Sequence, residues 1–93
     1  MLKYLCSPLL VFIFLSVPAS AQSLRCRIMD PTGTPLNLRD APYGQIVGKL
    51  PNGMLVRRGR QTVDRNERPW VFVHNFETDE PMGWVFREYV ACF

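Results

Sequence analysis

The chain has 93 residues, 20% of them charged, and a net charge of +3 at pH 7. That length excludes more than one sizeable domain. The small cationic excess is compatible with an anionic surface but is too low to indicate a nucleic-acid partner.

The first 21 residues read as a secretory signal peptide. Lys3 and the amino terminus supply positive charge, Leu9 to Val17 is a short apolar run, and Ala19-Ser20-Ala21 is a small-x-small cleavage site. The run is shorter than the roughly 20 residues of a membrane span, so no stable span is expected after cleavage. The alternative is an uncleaved amphipathic anchor. Cleavage after Ala21 leaves residues 22–93 as one domain. Its net charge is +2 once Lys3 is removed, and nine of its ten cations are Arg.

A domain of this size needs a covalent staple. Cys6 leaves with the signal, so Cys26 and Cys92 remain near the two ends. In an oxidising compartment they are the natural pair. On the chain-entropy model such a bridge is worth about 4 kcal/mol. Free thiols or an intermolecular bridge are the alternatives. A metal site is poorer, because His74 is the only further soft ligand. No metal or cofactor is expected.

The mature chain alternates in short pieces. Leu24, Cys26 and Ile28 share one face of a first strand, Leu24 to Met29. Asp30 to Pro35 is a loop crowded with Pro31, Gly33 and Pro35. Leu36 to Arg39 is a strand with Leu36 and Leu38 inward and Asn37 and Arg39 outward. Asp40 to Gly44 turns into the strand Gln45 to Leu50, and Pro51-Asn52-Gly53 makes a tight turn. Met54 to Arg60 returns antiparallel, but its parity puts Arg58 with Met54 and Val56. Either Arg58 snorkels or a bulge near Gly59 shifts the register, and the bulge is the favoured expectation.

Gln61 to Arg68 reads as an exposed hairpin loop in which Asp64 and Glu67 are solvated counter-charges to the arginines. Pro69 opens the most apolar strand, with Val71 and Val73 on one face and Trp70, Phe72 and His74 on the other, as befits a central strand. Glu77 to Met82 is an acidic turn, Trp84 to Phe86 a short strand, and Arg87-Glu88-Tyr89 one 3₁₀ turn. Val90 to Phe93 closes the chain beside the first strand. Seven short strands or strand pieces with no 3.6-residue period make an all-β barrel or sandwich.

The order of motifs resembles the bacterial SH3-like domain family. Thr34-Pro-Leu-Asn-Leu-Arg39, Pro42-x-Gly44-x-Ile46-Val47-Gly48-x-Leu50, Asn52-Gly53, Pro69-Trp70-Val71-x-Val73 and Gly83-Trp84-Val85-x-x-x-Tyr89-Val90 follow its pattern across nearly all of Cys26 to Cys92. The resemblance implies a small SH3-like, partly open β-barrel of five to six short antiparallel strands with one 3₁₀ turn. It also implies an interaction role in the periplasm or outside the cell, since family members commonly bind peptidoglycan or its peptides. No catalytic domain is expected to accompany this chain, which departs from the common family usage. The chain also has Leu36-Asn37-Leu38-Arg39 where eukaryotic SH3 domains carry an aromatic motif, so a Pro-rich ligand is not expected.

For chemistry, His74 lacks a nucleophile at motif spacing, and the carboxylate pairs Asp64/Glu67 and Asp79/Glu80 lie in charged loops. No enzymatic site is expected. The candidate contacts are Trp84, Phe86 and Tyr89, which with Trp70 make a candidate aromatic floor, Tyr43 from the opposite side, and Arg57, Arg60 and Arg65 of the cluster Arg57, Arg58, Arg60, Arg65 and Arg68 on one hairpin and its loop. Asp30 to Pro35 with Tyr43 is expected to line one side of a groove, opposite Trp84 to Tyr89. The partner expected is a cell-wall glycan or peptide. A partner protein, bound or regulated by a small secreted subunit, is the alternative.

Overall fold

A computed structural model describes residues 24–93. The expected signal peptide lies outside the described residues. The described chain is all-β. Its strands are β1 (Arg25–Ile28), β2 (Leu36–Arg39), β3 (Ile46–Leu50), β4 (Leu55–Val63), β5 (Pro69–Asn75), β6 (Pro81–Phe86) and β7 (Val90–Cys92), with one 3₁₀ turn, Arg87–Tyr89, between the last two. They form one antiparallel sheet in the order β3-β2-β6-β5-β4-β1-β7. No ladder joins β3 to β7, so the sheet is not closed. The strands number seven rather than the expected five to six, because the β2–β3 hairpin and the two short terminal strands each form a ladder.

Alternation places the core. Cys26 and Ile28 of β1, Leu36 and Leu38 of β2, and Val71 and Val73 of β5 are buried together with Val56 and Val85. Residues between them face outward, as a two-residue period requires. Leu24, expected on the inward face, is instead exposed and precedes β1, whose ladder to β4 begins at Arg25↔Arg57.

β4 is longer than expected. Gln61, Thr62 and Val63 pair with Val71, Trp70 and Pro69, so the loop shrinks to Asp64–Arg68. The bulge lies where the parity conflict put it. Arg58 opposes Val73 and Gln61 opposes Val71, which leaves Gly59 and Arg60 together against Phe72. β6 also starts early, at Pro81, because Gly83 joins the ladder opposite Val73.

Gly83 allows β2 to approach β6. A Cβ there would lie 2.7 Å from the Arg39 carbonyl oxygen and 3.0 Å from Leu38 Cδ1. Gly83→Ala is therefore expected to destabilise by about 1–3 kcal/mol, as overpacking against backbone does. Urea denaturation measures it, and an unchanged midpoint would mean that β2 can move away freely.

The termini are stapled as the cysteine count indicated. Cys26 and Cys92 face each other across β1 and β7, with S–S 2.00 Å and Cα–Cα 3.9 Å. Backbone bonds from Phe93 N–H to Arg25 O and from Met29 N–H to Tyr89 O flank the pair. The cysteines thus occupy a non-hydrogen-bonded position, where facing side chains approach most closely.

Candidate functional site

The outer face of β5 and β6 carries two rows of rings. Trp70 opposes Phe86, and Phe72 opposes Trp84. The rows lie on the face opposite Val71, Val73 and Val85.

The first row is covered. Trp70 is fully buried, yet it lies outside the main apolar core. Its ring centroid is 4.1 Å from Phe86 and 5.1 Å from Tyr43, and Phe86 is 5.9 Å from Tyr89. Tyr43 comes from the β2–β3 turn and is 50% exposed, with φ 59°. Arg68 closes the cluster, its guanidinium 3.5 Å from the Phe86 centroid. Nε of Arg68 donates to Glu88 Oε2 at 2.5 Å, and Nη2 donates to the Tyr89 hydroxyl at 3.3 Å. Burial works against its charge, but the bonds to Glu88, Tyr43 and Tyr89 outweigh this and raise its pKa further.

The Asp64–Arg68 turn is built for this cluster. Asp64 Oδ1 accepts the backbone N–H groups of Asn66 (2.8 Å) and Arg68 (3.0 Å), an Asx-type turn. Its Oδ2 accepts the Trp70 indole N–H at 2.8 Å. Asp64 is therefore a half-buried acceptor rather than the solvated loop charge expected. Desolvation pushes its pKa up, but the three hydrogen bonds and the Arg68 charge overcome this and hold the carboxyl below its ordinary 3.8. A depressed carboxyl adds stability above the unfolded-state pKa and loses it as pH falls through the folded value. Wild-type stability is expected to drop on acidification below about pH 4. Asp64→Asn is expected to be weaker at neutral pH and to show a shallower acid limb. Urea midpoints at pH 7, 4 and 2.5 check this, and parallel curves for the two proteins would refute it.

The second row is open. Phe72 and Trp84 meet edge to face at 5.4 Å, 82° apart. Arg60 lies over both, 4.8 Å from the Phe72 centroid and 5.3 Å from Trp84. The bulge at Gly59 puts Arg60 there, since an unbroken strand would have turned it to the core parity. Among the described residues no carboxylate pairs with Arg60.

The expected contacts are thus separated into groups. Tyr43, Phe86 and Tyr89 come together around Trp70, while Trp84 and Arg60 form the neighbouring row. Arg57 lies apart, paired with Asp79 at 3.3 Å and set over Phe76 at 5.4 Å. Arg65 is exposed in the Asp64–Arg68 turn. The arginines therefore do not make one patch. The Asp30–Pro35 loop is tied to the β3–β4 turn: Asp30 N–H donates to Asn52 Oδ1, and Asn52 Nδ2 to Thr34 O. Trp70 belonged to the expected aromatic floor and Arg68 to the expected arginine cluster, whereas Asp64 was expected to be a solvated loop charge. The signal for Asp64 was the Asp64-x-Asn66-x-Arg68 spacing just before Trp70, because a buried indole needs a nearby acceptor.

His74 Nδ1 lies 3.3 Å from the Asp79 carbonyl oxygen, and its ring is 5.2 Å from Phe72. Among the described residues no three His, Cys, Asp or Glu side chains converge as a metal site would require, and no helix is long and apolar enough to cross a membrane. Two open clefts of about 340 and 550 Å³ share Arg27 and Gly53 and lie away from both aromatic rows. No family model, curated protein or solved structure matches the chain.

Proposed function

We propose that this protein is a non-catalytic binding module of the SH3-like type, secreted or periplasmic, that attaches to a cell-envelope component such as peptidoglycan or its peptides. The observation that carries the reading is the arginine-dressed aromatic face of β5 and β6, from half-exposed Tyr43 to Trp84. Rings held on a rigid sheet give contact area at little entropic cost, and guanidinium groups above them recognise carboxylates. Supporting the SH3-like reading are the pairing of first and last strands and the 3₁₀ turn before β7. The Cys26–Cys92 bridge is compatible with an oxidising compartment.

A second reading, a small subunit that binds or regulates a partner protein, is favoured by one observation. β3 is an edge strand on which Ile46 and Val47 are 48% and 56% exposed, and such an edge accepts another strand.

Co-sedimentation with purified peptidoglycan, compared with capture from whole-envelope extract, separates the two. The wall-binding reading expects the protein in the peptidoglycan pellet. If it stays in the supernatant yet captures one protein from the extract, the second reading replaces the first.

A further inference from the structure

The open aromatic row continues across most of the sheet. Ile46 of β3 opposes Arg39 of β2, Arg39 opposes Trp84 of β6, and Trp84 opposes Phe72 of β5. Gly59 and Arg60 of β4 meet Phe72 at the bulge. Directly opposed residues share a face, so Ile46, Arg39, Trp84, Phe72 and Arg60 form one lateral row on the side away from the core. Five strands at about 4.8 Å spacing make the row about 19 Å long, with its two arginines three strands, or about 14 Å, apart.

Its order is apolar, cation, ring, ring, cation, and no member is acidic. Arg39 spends Nη1 on the Gly44 carbonyl at 2.8 Å, which fixes the guanidinium beside the row. The Arg60 guanidinium carbon lies within 5.3 Å of both ring centroids, and among the described residues no acceptor takes its N–H donors, which leaves them for a ligand. A carboxylate fits these donors bidentately. Next to it, the exposed parts of Phe72 and Trp84 offer apolar surface to the C–H face of a ring that bears the carboxylate.

We propose that this row is a receptor for a linear acidic polysaccharide, whose carboxylates meet Arg60 and Arg39 while a sugar ring between them packs on Trp84 and Phe72. This rests on the binding-module reading and narrows its ligand to one class. Charge complementarity selects an anionic chain, and the two aromatic rings between the cations, which offer apolar surface to C–H faces, select sugar rings over a flexible carboxylate side chain.

The test is a nuclear magnetic resonance titration of the purified, oxidised protein with a short glucuronic-acid oligomer. A neutral glucose oligomer, acetate and an oligoglutamate peptide serve as comparison probes. The Trp84 indole N–H and the Arg60 Nε–H are expected to shift saturably with the acidic sugar alone. Arg60→Gln is expected to weaken that binding about tenfold, the cost of one lost charged hydrogen bond. An unmoved Trp70 indole signal in the variant certifies that the fold is intact, and Arg60→Lys is expected to recover binding only in part. Equal response to the neutral sugar, to acetate or to oligoglutamate overturns the proposal, the last in favour of an acidic peptide. So does an unaltered affinity in Arg60→Gln, or silence at Trp84. Co-sedimentation with peptidoglycan on the same samples keeps the two readings apart. A silent titration with sedimentation intact defeats only this inference, and a positive titration without sedimentation defeats only the wall-binding reading.

Discussion

Trp70→Ala is expected to lower the free energy of unfolding by about 3–5 kcal/mol. The indole is fully buried, yet it packs outside the main core, among Tyr43, Phe86 and the Asp64–Arg68 turn. Removing it empties a site whose walls are a loop ring and a loop carboxylate. At about 0.05–0.15 kcal/mol per residue, a domain of this size has only about 4–10 kcal/mol to lose. The variant is therefore expected to be partly unfolded near body temperature. Trp70→Phe separates the two contributions. It keeps most of the ring packing and removes the indole N–H from Asp64 Oδ2. It should cost less than the alanine variant, and the acid dependence set by Asp64 should weaken with it. Chemical denaturation followed by far-UV circular dichroism measures all three proteins. A loss below about 1 kcal/mol for Trp70→Ala would mean that Tyr43 and Phe86 collapse onto the gap, and that the turn does not depend on the indole.

The parts legible in the sequence were those governed by local rules. Alternation found the inward residues of β2, β5 and β6, and the parity conflict at Arg58 located the bulge at Gly59. Cysteine arithmetic found the staple, because Cys26 and Cys92 lie on the first and last strands. Strand ends were less legible. Gln61 and Thr62 are polar enough to look like loop, but they lie on a ladder whose opposite strand supplies the burial, so pairing overrides composition. The site was legible by residue type and not by grouping. Five arginines on one hairpin and its loop, Arg57, Arg58, Arg60, Arg65 and Arg68, look like one anionic-partner patch. Yet Arg57 pairs with Asp79, Arg68 with Glu88, and Arg60 with rings. Those partners lie 20 or more positions away in the case of Arg57 and Arg68, and no spacing rule within a single strand reports them. Asp64 was misjudged for the same reason: its value depends on an indole that only folding brings within 2.8 Å.

Replacing both cysteines, Cys26→Ser with Cys92→Ser, is expected to destabilise by about 2–5 kcal/mol. The estimate follows from the loop that the bridge closes, a sequence separation of 66. It follows also from what else holds β7. That strand is three residues long, lies at the sheet edge and pairs only with β1. Without the bridge, the short ladder to β1, its flanking bonds from Met29 N–H to Tyr89 O and from Phe93 N–H to Arg25 O, and buried Val90 must keep β7 in place. Edge bonds of this kind, each worth about 1 kcal/mol net, hold a three-residue strand only weakly. Hydrogen exchange at Met29 and Phe93 is therefore expected to accelerate in the double variant even where the global fold persists, while Val71 and Val73 exchange only through global opening. The consequence reaches the aromatic face of β5 and β6. The 3₁₀ turn that feeds β7 carries Glu88 and Tyr89, two of the three groups that hold Arg68 over Phe86. Loosening β7 therefore frees Arg68 and uncovers the Trp70 row, so a protein without the bridge should show increased accessibility of Phe86 and Tyr43 before it unfolds. Aromatic side-chain resonances of the reduced and oxidised forms test this. If reduction leaves those rings and the unfolding midpoint unchanged, the bridge is incidental and the terminal strands are held by packing alone.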